Sequence, residues 1–178
     1  DYTEAVRVNP RNAPAYFNRG NSHNDTKEYD KAINDYTEAI RLDPQAADAY
    51  LNRGNTFSKK KEYGEAIKDY TKVLQFAPKG RQIGARYNLA WLLSTCPKDN
   101  VRDGQKAVVH ATKACELSEW KRGVVIGALA AAKAETGDYE AAIKLQKKGM
   151  ELSPQAKNVE LARRLLTLYE SGKAYSEE

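Results

Sequence analysis

The residue types most apt for covalent chemistry are few: two cysteines, Cys96 and Cys115, and two histidines, His23 and His110. Cys96 with His110 is the pair to weigh as nucleophile and base. Such a pair needs a third group to orient the imidazole and donors to hold an oxyanion, and neither can be named around these two positions. A metal site fails on spacing, because His110 and Cys115 stand five residues apart, off a common helical face, and no Cys-x-x-Cys occurs. With no triad and no phosphate-cradling loop elsewhere, no catalytic residue, metal or cofactor is expected. Asparagine, by contrast, recurs. Asn18, Asn52 and Asn88 return at corresponding places, with Asn21 and Asn55 beside the first two. An amide side chain offers both a donor and an acceptor, so a row of them can grip an extended peptide backbone without demanding a particular side chain. Solvation of an exposed helical face is the competing reading. Asparagine is a middling-to-poor helix former, however, where Lys or Glu would solvate as well.

The elements that must carry these residues are read from a repeat. Pro10, Pro44 and Pro78 lie thirty-four residues apart, and the intervening sequence repeats in register. Asn18-Arg19-Gly20 returns as Asn52-Arg53-Gly54, and Asp35-Tyr36-Thr37 returns as Asp69-Tyr70-Thr71. A period of this length predicts a helical solenoid, each unit two antiparallel helices. Tyr16, Arg19, Gly20 and His23 follow one helical stripe, and Tyr29, Ala32, Ile33, Tyr36, Ala39 and Ile40 another. Gly20 is expected to face Ala32, and Gly54 to face Ala66, where the backbones cross closely. Subtracting the core stripe leaves Phe17, Asn18, Asn21, Asn24 and Asp25 on a second stripe, and Leu51, Asn52, Asn55, Ser58 and Lys59 on its counterpart.

These residues resemble the tetratricopeptide repeat, and the resemblance runs through nearly the whole chain. It implies an all-α, right-handed superhelical solenoid of helix-turn-helix repeats: a half-repeat at 1–12, repeats at 13–46, 47–80, 81–121 and 122–154, a capping helix at 155–171 and a tail at 172–178. The stretch Asn88-Leu89-Ala90-Trp91-Leu92-Leu93, Thr95-Cys96-Pro97, then Arg102-Asp103-Gly104 is similar to a bacterial subgroup of the family. The resemblance also implies that the second stripe lines a concave groove. Phe17, Asn18, Asn21, Asn52, Asn55, Tyr87, Asn88 and Trp91 are the expected peptide-binding residues there. Asn21 and Asn52 match the two asparagines of the family's carboxylate clamp, but Phe17, Asn88 and Gly84 (or Gln82) replace its cations. For Trp91 two roles stand: an anchor for a ligand side chain, or packing against Gly127, Ala128, Ala131 and Ala134.

Arg19 and Arg53 occupy otherwise apolar stripes, and in the same units an aspartate, Asp35 or Asp69, precedes the tyrosine of the second helix. In the third and fourth units the arginine becomes Leu89 or Leu129, and the aspartate becomes His110 or Leu145. Joint gain and loss predicts an ion pair, with the aspartate taken from the same unit or from the preceding one, Asp1 facing Arg19 and Asp35 facing Arg53.

A chain of 178 residues with 41% hydrophobic content is long enough for one continuous core, with disorder expected only in the last few residues. The net charge of +5 permits acidic partners, yet Lys and Arg alternate with Asp and Glu throughout. A protein or peptide partner is therefore preferred over a nucleic acid, whose helical-repeat readers use basic grooves. A purely structural or oligomerisation module is the other alternative. No apolar run reaches the roughly eighteen residues of a membrane span and no signal peptide opens the chain, which points to the cytoplasm, although the sequence starts in mid-repeat. That unpaired half-repeat, with Tyr2, Ala5, Val6 and Val8 on one face, is expected to self-associate. Cys96 and Cys115 are expected at opposite ends of a hairpin about 15 Å long, hence as free thiols.

Overall fold

The computed structural model describes residues 2–154 and 158–177, which form ten α-helices and one 3-10 turn, with no strand among the described residues. They group into two compact units, Asp1–Pro78 and Lys79–Glu178. The first holds α1 (Tyr2–Val8), α2 (Ala13–Asp25), α3 (Tyr29–Leu42), α4 (Ala47–Lys59) and α5 (Tyr63–Phe76). Asn12 starts α2 by accepting the Ala15 amide hydrogen at 3.1 Å, with Pro14 in the first turn, where no amide hydrogen is needed. The residues before Pro44 and Pro78 are extended, Asp43 at φ −132° and Ala77 at ψ 141°, so α3 and α5 stop where proline forbids helix.

Within each hairpin the second helix buries the matching set, Ala32, Asp35, Tyr36 and Ala39 on α3 and Ala66, Asp69, Tyr70 and Val73 on α5. Gly20 and Gly54 are buried as expected, and the atoms nearest to them belong to the tyrosine and aspartate of the second helix. A Cβ at Gly20 would lie 2.8 Å from the Tyr36 ring and 3.3 Å from Asp35 Cβ, and one at Gly54 would meet Tyr70 and Asp69 in the same way. The glycine makes room for a tyrosine ring on the neighbouring helix, which spacing alone does not reveal. Arg19, Tyr16 and His23 are half-buried rather than core. On α1 no residue is buried, and Tyr2 and Val8 are exposed.

The second unit holds a 3-10 turn (Lys79–Arg81), α6 (Ile83–Thr95), α7 (Gly104–Leu117), α8 (Gly123–Glu135), α9 (Tyr139–Leu152) and α10 (Val159–Glu170). Its core is built from alanines and a few larger residues, Ala90, Ala111, Ala114, Cys115, Val125, Ile126, Ala128 and Leu129. Small side chains let α8 sit deep, with nine of its residues buried. The closest approach is at Gly123, where an added Cβ would come within 2.2 Å of the Gly149 carbonyl oxygen on α9. The long connection after α6 is tied down by Arg102. Its guanidinium donates to the Cys96 carbonyl at 2.8 Å and to Glu135 of α8 at 2.9 Å, and pairs with Asp99 at 2.6 Å. Asp103 then caps α7 through the Lys106 amide at 3.0 Å.

The expected final helix is observed as Val159–Glu170, with Leu165 and Tyr169 buried; its expected beginning at Gln155 lies outside the described residues. The expectation of disorder in the last residues is corrected. Residues 173–177 run without helix or strand, with Ala174 and Tyr175 packed beside Ala130, Ala134, Ala142, Leu165 and Tyr169. An apolar pair in a short polar stretch is enough to seat it.

Candidate peptide-binding face

Arginine and aspartate set the geometry of the first unit. Arg19 donates from Nε and Nη2 to the two oxygens of Asp35 at 2.8 and 2.6 Å, and Arg53 does the same to Asp69 at 2.8 Å for both bonds. Both partners come from the same hairpin. The alternative partner Asp1 lies outside the described residues, and Asp35 belongs to Arg19. Each fork joins the first helix of a hairpin to the second, beside the tyrosine ring that fills the glycine notch. Arg53 also reaches back to Thr37 Oγ1 at 2.9 Å, which links α4 to α3. Tyr16 and Tyr50 lie against the two guanidiniums at 5.5 and 5.6 Å.

The buried tyrosines in turn position the asparagines. Tyr36 Oη donates to Asn21 Oδ1 at 2.9 Å, and Tyr70 Oη donates to Asn55 Oδ1 at 3.0 Å. Burial, with the Asp25 charge nearby, pushes the Tyr36 pKa up to about 12, so its hydroxyl stays a donor. Asn21 Oδ1 accepts a second bond from Asn52 Nδ2 at 2.8 Å, and Asn24 Oδ1 accepts from Thr56 at 3.3 Å and Lys59 at 3.0 Å. These bonds form a polar seam along the α2/α4 face. Sequence reading placed Asn21, Asn52 and Asn55 on that face but missed their tyrosine anchors. The signal was present: Asn21 and Tyr36 recur together as Asn55 and Tyr70. Asn18 is half-buried, and its amide makes no hydrogen bond among the described residues. Phe17 is half-buried against Tyr36, ring centroids 6.0 Å apart.

Tyr87, Asn88 and Trp91 lie on α6 of the second unit. Tyr87 and Trp91 are partly buried against the alanine-rich core, and both line a cavity of about 240 Å³. Gly127, Gln146, Leu161 and Leu165 form much of its remaining wall. Trp91 also meets residues 173–177: its indole N–H donates to Glu177 Oε1 at 2.6 Å, and its ring lies 6.3 Å from that of Tyr175. Burial, reinforced by the Glu177 charge, raises the Tyr87 pKa.

The residues weighed for covalent chemistry sit in surroundings that suppress it. Both cysteines are buried free thiols. Burial raises the pKa of Cys96 and pushes that of Cys115 up to about 11, so neither supplies thiolate at neutral pH. Burial and the Arg86 charge lower the pKa of His110, whose Nδ1 is buried without a hydrogen-bond partner among the described residues. Those residues contain no cluster of three or more His, Cys, Asp or Glu able to hold a metal ion, and no helix long and apolar enough to cross a membrane.

Successive helical hairpins, two of them sharing a glycine notch filled by a tyrosine, define a helical-repeat protein. The model for the TPR repeat matches residues 20–61, and models for the tetratricopeptide repeat match residues 1–36, 47–79 and 125–156, together more than half of the chain. The chain belongs to the tetratricopeptide repeat family, whose fold serves as a protein–protein interaction scaffold. No curated protein matches it. Among solved structures it is similar to MamA, residues 41 to the end, from Desulfovibrio magneticus RS-1, at 20% identity over 88% of this chain and 84% of that one, with a TM-score of 0.73. PilW, a widely conserved type IV pilus biogenesis factor, is similar at 18% identity over 96% and 80%, with a TM-score of 0.74. At these identities the likeness is one of fold.

Proposed function

We propose that the chain is a non-enzymatic adaptor that receives an extended peptide or a partner helix along its asparagine-bearing stripe. Phe17, Asn18, Asn21, Asn52 and Asn55 are the contacts in the first unit, and Tyr87, Asn88 and Trp91 those in the second. The observation that carries this reading is the anchored polar seam of α2 and α4. Tyr36 holds Asn21, Asn21 holds Asn52, and Asn18 is left with an unused amide next to them. Side chains fixed before a ligand arrives lose little freedom on binding, so their hydrogen bonds count toward affinity. The buried, protonated thiols support a role without covalent chemistry and suit a reducing compartment such as the cytoplasm.

The test uses a peptide selected against the chain from a random displayed library and titrated by calorimetry. Replacing Asn18, Asn52 and Asn88 with alanine is expected to weaken its binding about tenfold or more, since each lost hydrogen bond contributes on the order of 1 kcal/mol. Unchanged affinity in the triple variant, with helical content preserved, would move the binding site to another face.

A further inference from the structure

Residues 173–177 make the contacts a bound peptide would make, and they make them on the second unit. The Glu177 amide donates to the Thr95 carbonyl at 2.7 Å, one of the carbonyls at the end of α6 that has no helical partner. The Trp91 indole N–H donates to the Glu177 carboxylate at 2.6 Å. Two residues earlier, the Tyr175 ring lies 6.3 Å from that of Trp91 and 5.8 Å from the Arg164 guanidinium. Aromatic, spacer, acid: each of the two recognised side chains has its own complementary group, an indole and a guanidinium for the ring, an indole N–H for the carboxylate. Beside this segment lies the cavity under Tyr87 and Trp91, which Glu177 helps to line.

We propose that this face of α6 and α10 is a binding site for an extended segment with an aromatic side chain followed two residues later by a carboxylate, and that residues 173–177 occupy it in cis in place of a partner segment of that chemistry. Hydrogen bonds from the Lys173 amide to the Leu168 carbonyl, from the Glu177 amide to Thr95 and from Trp91 to Glu177, with the packing of Ala174 and Tyr175, hold the segment against the entropy of ordering five residues, so a partner that adds contacts to these can displace it. The neighbouring cavity gives a partner an advantage the cis segment lacks, since a partner can add an apolar side chain there. A tethered segment meets its site at an effective concentration in the millimolar range, so a free competitor of equal quality binds poorly until the cis copy is disabled. The proposal rests on the peptide-binding reading for Tyr87 and Trp91 but not on the asparagines.

The probe is a fluorescent peptide of residues 172–177, Gly-Lys-Ala-Tyr-Ser-Glu, titrated by anisotropy into the chain and into its Tyr175→Ala/Glu177→Gln variant. The variant is expected to bind the peptide about tenfold more tightly than the parent. Adding Trp91→Phe should remove that gain, and adding Asn34→Ala, at an exposed position of α3, should leave it intact. Equal affinity for parent and variant, or no binding to either, overturns the inference while leaving the asparagine reading to its own test. A concentration-dependent dimer that the double variant abolishes also overturns it, by placing the segment on a second copy. A measurement without the Trp91 substitution guards against loss of fold: in a Trp120→Phe background, Tyr175→Ala/Glu177→Gln should shift Trp91 emission and the added peptide should restore it. Emission that responds to neither contradicts the proposal.

Discussion

The Arg53–Asp69 pair shows how much one contact decides. Asp69 is 4% exposed and the Arg53 side chain 17%, so the carboxylate has little water to fall back on if the guanidinium is removed. Replacing Arg53 with methionine should cost about 3 kcal/mol, because it strands a buried carboxylate, whereas Arg53→Met with Asp69→Leu should lie within roughly 1 kcal/mol of the parent. Urea unfolding of the full cycle checks this; a single-variant cost below about 1 kcal/mol would mean that water reaches Asp69. His110 supplies a pH signature. Its pKa is lowered in the fold by burial and by Arg86, so the unfolded chain binds the extra proton first as pH falls. The stability it contributes is present above the unfolded value near 6.5 and is lost as pH drops through the lower folded value. His110→Leu, which installs the residue type of the corresponding Leu145, should reduce the stability lost as pH falls from 7 to 5. Parallel stability–pH curves for parent and variant would refute it.

The two hairpins of the first unit are held in register by a notch and a ring. A methyl at Gly20 would lie 2.8 Å from the Tyr36 ring, which is 1% exposed and hydrogen-bonded to Asn21, so the ring cannot step aside. Gly20→Ala should therefore destabilise by about 1–3 kcal/mol even though alanine is the better helix former by roughly 1 kcal/mol. A rise in melting temperature would show that the ring moves freely. Much of this architecture was legible in the chain itself. The thirty-four-residue spacing of Pro10, Pro44 and Pro78 marked the helix ends, and the joint loss of arginine and aspartate in the later units announced the ion pairs. The offset at which two helices cross was not legible, because spacing along one helix says nothing of its position against another; the close approach of the Tyr36 ring to Gly20 therefore had to come from the structure. The tyrosine anchors of Asn21 and Asn55 were hidden for a related reason, since a buried ring and an exposed amide look like separate features until a hydroxyl joins them. Residues 173–177 carry no periodicity at all, and only the positions of Trp91, Thr95 and Arg164 give them a place.

As a protein, the chain is a scaffold that offers surfaces while its reactive groups are buried. In the first unit the amides of Asn21 and Asn55 are fixed by side chains further in, Tyr36 and Tyr70. Stability and binding should therefore separate by position. Asn18→Ala should leave the unfolding free energy within about 0.5 kcal/mol of the parent. Asn21→Ala, which strands the Tyr36 hydroxyl and frees Asn52, should cost on the order of 1–2 kcal/mol. Equal costs at the two positions, measured by thermal unfolding, would deny the seam its anchored character. The central claim is that a peptide sits on the asparagine stripe, and the side-chain amide resonances of nitrogen-15-labelled chain report on it directly. During titration with a selected peptide, the Asn18 and Asn52 side-chain signals should shift together along one saturable curve while that of Asn34, exposed on α3, stays still. Saturable shifts at Asn34 and its neighbours on α3, with both stripe asparagines unmoved, would contradict the account.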